Sequence, residues 1–194
     1  MNKHLKVLNK CKSNTEMLLY CYKNLIKLGR GSSRTVFLLT KNKVLKVAHN
    51  HIGNQQNTAE ITAWLYIDYD RYYNKRFFAK VFPDMSHFKD VYIVQEYCDN
   101  ISTKEAKPYI EHYLTPSTIE NERAKRFHTA LRDVDNTLNY KTLVDLNVGN
   151  IGRSVRGAIK LRDYGLSEHI AKQYREARDQ YHQLKSISNI SIDL

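Results

Sequence analysis

The stretch "LVDLNVGNIGRSVRGAIKLRDYGLSE", residues 143–168, sets three polar side chains at fixed intervals among apolar ones. Asp145 is followed five positions later by Asn150, and Asp163 comes thirteen positions after that, in the triplet Asp163-Tyr164-Gly165. The intervening "LNVG" is too short for a helix and is interrupted by Gly149, so Asp145 and Asn150 belong to a loop. Short strands are predicted around Ile151 and over Ile159–Leu161. A carboxylate and an amide oxygen near one point suit Mg²⁺, which takes few protein oxygens and completes its shell with phosphate and water. Taken alone, each aspartate is an ordinary turn or cap residue.

Upstream, "NLIKLGRGSSRTVFLLTKNKVLKVAHN" predicts three strands, with apolar runs at Leu25–Leu28, Val36–Leu39 and Val44–Val47. The turn between the first two is Gly29-Arg30-Gly31-Ser32-Ser33, whose small residues let backbone N–H groups approach phosphate oxygens. Lys46 interrupts the third run, and an ammonium in an apolar strand needs a partner or water. Ala59, Ala63, Trp64 and Ile67 recur at helical spacing, with Asn57 or Thr58 as N-cap, and Glu60 on that helix is a partner for Lys46. "AKVFP" and "DVYIVQEYC" predict two further strands, the first stopped by Pro83.

The remaining elements are helical. Residues 14–24 predict a short leading helix, Ser117 to about Tyr140 the longest one, and "EHIAKQYREARDQYHQLK" a charged closing helix. Five strands with one inserted helix, followed by helix and a small hairpin, predict an α+β fold of two lobes. The expected units are an N-terminal helical extension (1–24), an N-lobe (25–99) and a truncated C-lobe (100–194).

In this order the residues resemble the protein-kinase-like superfamily. Its glycine loop G-x-G-x-x-G-x-V is matched by Gly29, Gly31 and Val36, with Arg34 in place of the third glycine. V-A-I-K resembles Val44-Leu45-Lys46, D-x-x-x-x-N falls on Asp145 and Asn150, and D-F-G falls on Asp163-Tyr164-Gly165. The resemblance covers Leu25 to Ser167 and implies a bilobal fold with a five-stranded antiparallel N-lobe. It implies ATP and Mg²⁺ as cofactors, with Asn150 and Asp163 as metal ligands. Lys46 would contact phosphates and be positioned by Glu60, and Asp145 would orient the acceptor hydroxyl. Gly29, Gly31, Ser32, Ser33, Val36, Gln95, Glu96 and Cys98 would surround the nucleotide, Gln95 as gatekeeper and Trp64 stacking toward Tyr164 and Leu143.

Departures from the pattern narrow the expectation. Leu143-Val144 replaces the usual His-Arg, which removes the arginine that activation-loop phosphate neutralises and implies constitutive activity. No A-P-E segment follows Gly165, so the usual peptide platform is missing. "DLNVGNIG" with "DYGLS" resembles minimal Bud32-type kinases, compact bacteriophage serine/threonine kinases and aminoglycoside-type phosphotransferases. A serine/threonine protein kinase acting on host proteins and on itself is the first expectation, with a protein substrate that is nucleic-acid-associated. Small-molecule phosphotransfer, or a pseudokinase scaffold binding protein or RNA, are the alternatives.

Bulk properties agree with an ordinary globule: 194 residues, 42% hydrophobic and 26% charged. The net charge of +11 attracts anions, but no helix-turn-helix, zinc-finger or RNP motif supports direct nucleic-acid binding. Three cysteines without metal spacing imply reduced thiols in a cytoplasmic setting. Neither a signal peptide nor a membrane span is expected.

Overall fold

Strand alternation decides which residues face the cleft. In the computed structural model, which describes residues 2–69, 75–87, 90–110, 121–143, 145–173 and 176, strands β1 (Ile26–Arg30), β2 (Arg34–Thr40), β3 (Lys43–Ala48) and β4 (Tyr92–Glu96) form one antiparallel sheet in sequential order. Successive side chains point to opposite faces. Phe37 and Leu39 of β2, with Leu45 and Val47 of β3, meet Leu5, Leu8, Met17 and Cys21 in one buried cluster. Those last four come from helices α1 (Lys3–Leu8) and α2 (Asn14–Asn24), so the leading helices share the sheet's core. Ser13 caps α2 by accepting from the Glu16 N–H at 3.2 Å. The opposite parity, Val36, Val44 and Lys46, lines the cleft.

The expected fifth strand over 79–83 is corrected to a bridge. Val81 pairs with Gln95, the Phe82 N–H donates to Val94 O at 2.8 Å, and the Glu96 N–H donates to Lys80 O at 2.7 Å. Pro83 then opens a 3₁₀ turn, Pro83–Met85, because it has no N–H with which to extend a ladder. The sheet is therefore four-stranded.

Helix α3 (His51–Tyr69) begins well before the expected cap. Asn57 lies inside it, fully buried, and donates to the carbonyls of Asp90 at 2.8 Å and Val91 at 3.3 Å. Its role is to tether α3 to the start of β4. Gly53 is tolerated in the first turns because a Cβ there would meet Ser33 O at 2.4 Å, so only glycine lets α3 approach the loop before β2 so closely.

After Tyr97 the chain enters a second, three-stranded sheet of β5 (Cys98–Asp99), β6 (Ile151–Ser154) and β7 (Ile159–Leu161). Helix α4 (Thr103–Ile110) was not expected, although Ser102-x-x-Glu105 is a capping box. Ser102 N–H donates to Glu105 Oε2 at 3.2 Å and Glu105 N–H donates back to Ser102 Oγ at 3.3 Å. Helix α5 (Glu122–Leu138) is capped by Asn121 and ends at Asn139, in the left-handed conformation with φ of 54°. The expected Ser117 start of this helix, Val144 and most of the closing helix lie outside the described residues.

A second cluster joins α3, α5 and the lower sheet through Trp64, Ile67, Phe78, Phe127, Leu131, Ile151, Leu161 and Tyr164, with Leu143 packed against it. Trp64, Tyr164 and Leu143 thus share one core, but the ring that Tyr164 meets edge-on is Phe78, at 5.5 Å. An antiparallel upper sheet crossed by one helix, a single connecting strand and a helical lower region make this a bilobal α+β fold. Among the described residues no helix is long and apolar enough to cross a membrane.

Candidate active site

Lys46 projects from β3 toward the cleft, and its ammonium donates to both Glu60 oxygens, at 2.9 and 2.8 Å. A third bond, at 2.6 Å, goes to Arg162 O. Glu60 sits on α3 with none of its surface exposed, and Lys46 is 5% exposed. Burial pushes the Glu60 carboxyl up and the Lys46 ammonium down, each toward its neutral form, while their mutual attraction opposes both shifts. Gln95, 1% exposed on β4, donates to Glu60 Oε2 at 3.3 Å and closes the back of the cleft.

Arg34 joins the same cluster, which the sequence reading did not anticipate. Its Nη1 lies 2.8 Å from Glu60 Oε1, and its Nη2 lies 2.6 Å from Asp163 Oδ1. Only 5% of Arg34 is exposed, whereas Asp163 keeps 35% of its side chain open to the cleft. Burial would raise the Asp163 carboxyl, but Arg34 and Lys46 outweigh it and hold the group well below the usual carboxylate range.

The loop before β6 supplies the other two polar residues. Asn150 Nδ2 donates to Asp145 O at 2.7 Å and to Asp145 Oδ2 at 2.9 Å, so the pair is locked together. Asn147 steadies the turn by accepting from the Gly149 N–H at 2.8 Å. Asp135 of α5 anchors the start of the loop. Its Oδ1 accepts from the Thr142 N–H and hydroxyl, at 2.8 and 2.6 Å, and its Oδ2 accepts from the Leu143 N–H at 3.1 Å. Burial and the neighbouring Asp163 charge raise the Asp145 carboxyl, against the opposing pull of Asn150 and Arg34.

Tyr164 OH donates to Ala79 O at 2.7 Å, which fixes the residue after Asp163. At Gly165 a Cβ would meet Gln56 O at 2.4 Å, so glycine is needed for the Asp163 segment to lie against α3. No comparable crowding surrounds Gly29, where nothing lies within 4 Å of a notional Cβ.

Two adjoining cavities share Val36, Lys46 and Asp163. One, of about 310 Å³, runs between Leu28, Val36 and Val44 above and the Gln95–Cys98 connection behind, with Arg162 and Asn150 below. The other, of about 330 Å³, lies between the Gly31–Arg34 loop and Asp145, with Gln56 and Leu166 on its walls. Of the expected nucleotide, metal and catalytic residues all but Glu60 line one cavity or the other, and Glu60 stands behind Lys46. Several are already engaged. The Gly31 N–H donates to Arg34 O at 2.8 Å, and the Ser33 hydroxyl, 3% exposed, donates to Gln56 Oε1 at 2.5 Å. Glu96 accepts from Lys160 Nζ at 2.7 Å. The Cys98 thiol is buried and pushed up to about 12, so it stays protonated.

Arg162 also escaped the sequence reading. Its guanidinium donates to Cys98 O at 3.1 Å, Asn100 Oδ1 at 2.9 Å and Gly149 O at 2.7 Å, strapping the connection between the sheets to the polar loop. Its place directly before Asp163, after the apolar run of β7, was the available signal.

The donor set fits Mg²⁺ in its phosphate-assisted form. Among the described residues no three His, Cys, Asp or Glu side chains gather into a cage, whereas Asp163 and the Asn150 amide lie beside the shared cavity wall.

No family model and no curated protein sequence matches the chain. Solved structures do. The streptomycin–ATP–APH(2")-IIa ternary complex matches at 14% identity and a TM-score of 0.42, over 80% of this chain and 70% of that one. The gentamicin–APH(2")-IIa complex matches at 13% identity and 0.43, over 80% and 71%. Aminoglycoside phosphotransferase APH(2'')-Ib with ADP matches at 12% identity and 0.42, over 80% and 71%. The expected protein partner is corrected here: the molecules named in these structures are nucleotides and aminoglycosides, all of them small.

Proposed function

We propose that this chain transfers the terminal phosphoryl group of Mg·ATP to a hydroxyl of a small molecule. The observation that carries the reading is the gathering of these groups around two adjoining cavities: Lys46, held by Glu60, and Asp163 on their shared wall, with Asn150 lining the first and its partner Asp145 the second. In this reading the first cavity takes the nucleoside between Val36 and the backbone of Glu96–Cys98. Lys46, held by Glu60, meets the phosphates with its positive charge. Gly29 and Ser32 form the loop above them.

Asp163 and Asn150 would hold Mg²⁺, which neutralises phosphate charge when bound. Asp145 lies in the second cavity, where its carboxylate orients the acceptor hydroxyl and takes its proton as the bond to phosphorus forms. The raised Asp145 carboxyl makes it a better base than a free aspartate. The second cavity, at about 330 Å³, is of a size that encloses a small molecule.

The test is ADP release from Mg·ATP across a panel of hydroxyl-bearing small molecules: aminoglycosides, sugars, polyols and nucleosides. Acceptor-dependent release that disappears in Asp145→Asn is the expected result. Failure of ATP to bind in calorimetry, with or without Mg²⁺, would sink the reading.

A further inference from the structure

The third glycine of the loop pattern is replaced here by Arg34, and that residue spans two acidic groups from distant parts of the chain. Nη1 reaches Glu60 Oε1 on α3, with Asn57 Oδ1 also in range at 3.2 Å, and Nη2 reaches Asp163 Oδ1. Glu60 does not depend on it, because Lys46 grips both of its oxygens and Gln95 adds a third donor. Asp163 has Arg34 as its ion-pair partner, and Oδ1 is the oxygen engaged. The arginine cannot drift far: Gly31 N–H holds its carbonyl, and the guanidinium is almost fully buried.

From this asymmetry we infer that Arg34 is a resident counter-ion of Asp163. It occupies Oδ1 before the metal arrives and competes with the metal for that carboxylate. The inference rests on the metal–nucleotide reading of the cleft. A cation arriving at Asp163 meets a guanidinium already 2.6 Å from Oδ1, and like charges at that range disfavour joint occupancy. Arg34 therefore sets the metal concentration at which the site loads. As Nη2 leaves Asp163, Nη1 stays on Glu60, so the loop above the phosphates remains tied to α3.

The probe is Mn²⁺, followed by electron paramagnetic resonance of the free ion with a non-hydrolysable ATP analogue kept below the protein concentration, so that free analogue does not sequester the ion. Wild type, Arg34→Gln and Arg34→Lys are compared. Mn²⁺ is expected to bind about tenfold more tightly to Arg34→Gln, the lower end of what one neighbouring charge does to ion binding at a carboxylate. Arg34→Lys retains the charge but cannot bridge both acids, so a smaller tightening is expected. Should Arg34→Gln fail to fold, the lysine variant decides alone. Equal or weaker Mn²⁺ binding in the variants overturns the role of Arg34 while leaving the nucleotide reading intact. Absence of both nucleotide and Mn²⁺ binding in wild type overturns that reading and this inference together.

Discussion

The two ends of the cleft are built by different means. At the end proposed for the nucleoside, Leu28, Val36 and Val44 come from three adjacent strands, and the Glu96–Cys98 connection closes the back. At the end proposed for the phosphates, Arg34, Lys46, Glu60, Asp145, Asn150 and Asp163 come from five separate elements or loops and act through side chains, all of them charged except Asn150. Sheet pairing holds the first in place whatever its side chains are. The second depends on each charge having a partner. This end sets two cations, Arg34 and Lys46, among three anions, Glu60, Asp145 and Asp163, so the surplus of +11 resides elsewhere on the molecule.

The strongest way to break the charged end is Glu60→Ala. It leaves two buried cations without their shared anion, and a loss of about 3–5 kcal/mol is expected in urea unfolding. A loss as small as that of a surface substitution would show that the cluster is not a closed ionic unit.

Asp145→Asn tests chemistry rather than fold, since the amide oxygen can still accept from Asn150. Turnover is expected to fall about 10²–10⁴-fold with nucleotide affinity unchanged. Next in size is Asp135→Ala, which frees the Thr142 and Leu143 N–H groups that start the loop. The expected cost is about 1–3 kcal/mol in stability together with slower turnover, measured on the same preparation.

At the nucleoside end, Val36→Ala removes apolar contact but no charge. A weakening of about 1 kcal/mol in nucleotide affinity, with turnover at saturation preserved, is expected from calorimetry and steady-state rates. An effect as large as that of Asp145→Asn would erase the distinction between the two ends.

Acid sharpens the comparison further. Asp163 is held below its ordinary value, so its contribution to stability is complete above about pH 4 and is lost as pH falls through the lower folded value. Asp145 is shifted the other way. The acidic limb of turnover should therefore lie above the value of an unperturbed aspartate, while acid unfolding begins below it. A pH–rate profile beside a pH–melting profile checks both.

The interval from Asp145 to Asn150, the Asp163-Tyr164-Gly165 triplet and the lysine within β3 were legible because each depends on local spacing along a loop or a strand. Helix α2 was legible as a short leading helix over residues 14–24. Pro83 was correctly read as a stop, but the segment before it forms a single bridge, because the number of ladder pairs depends on how β4 lies alongside. The early start of α3 was hidden: Gly53 and Asn57 look like breaker and cap, yet one permits contact with Ser33 O and the other bonds to the start of β4.

Local spacing determined by itself the order of the four upper strands, the faces they present and the types of residue that line the cleft. Only the tertiary structure decided the partners. Arg34 and Asp163 stand 129 positions apart, and Arg34 meets both acids only because α3 packs beneath the loop through Gly53 and against the Asp163 segment through Gly165. Periodicity reports which face a side chain takes, whereas a buried charge finds its counter-charge through the packing of whole elements.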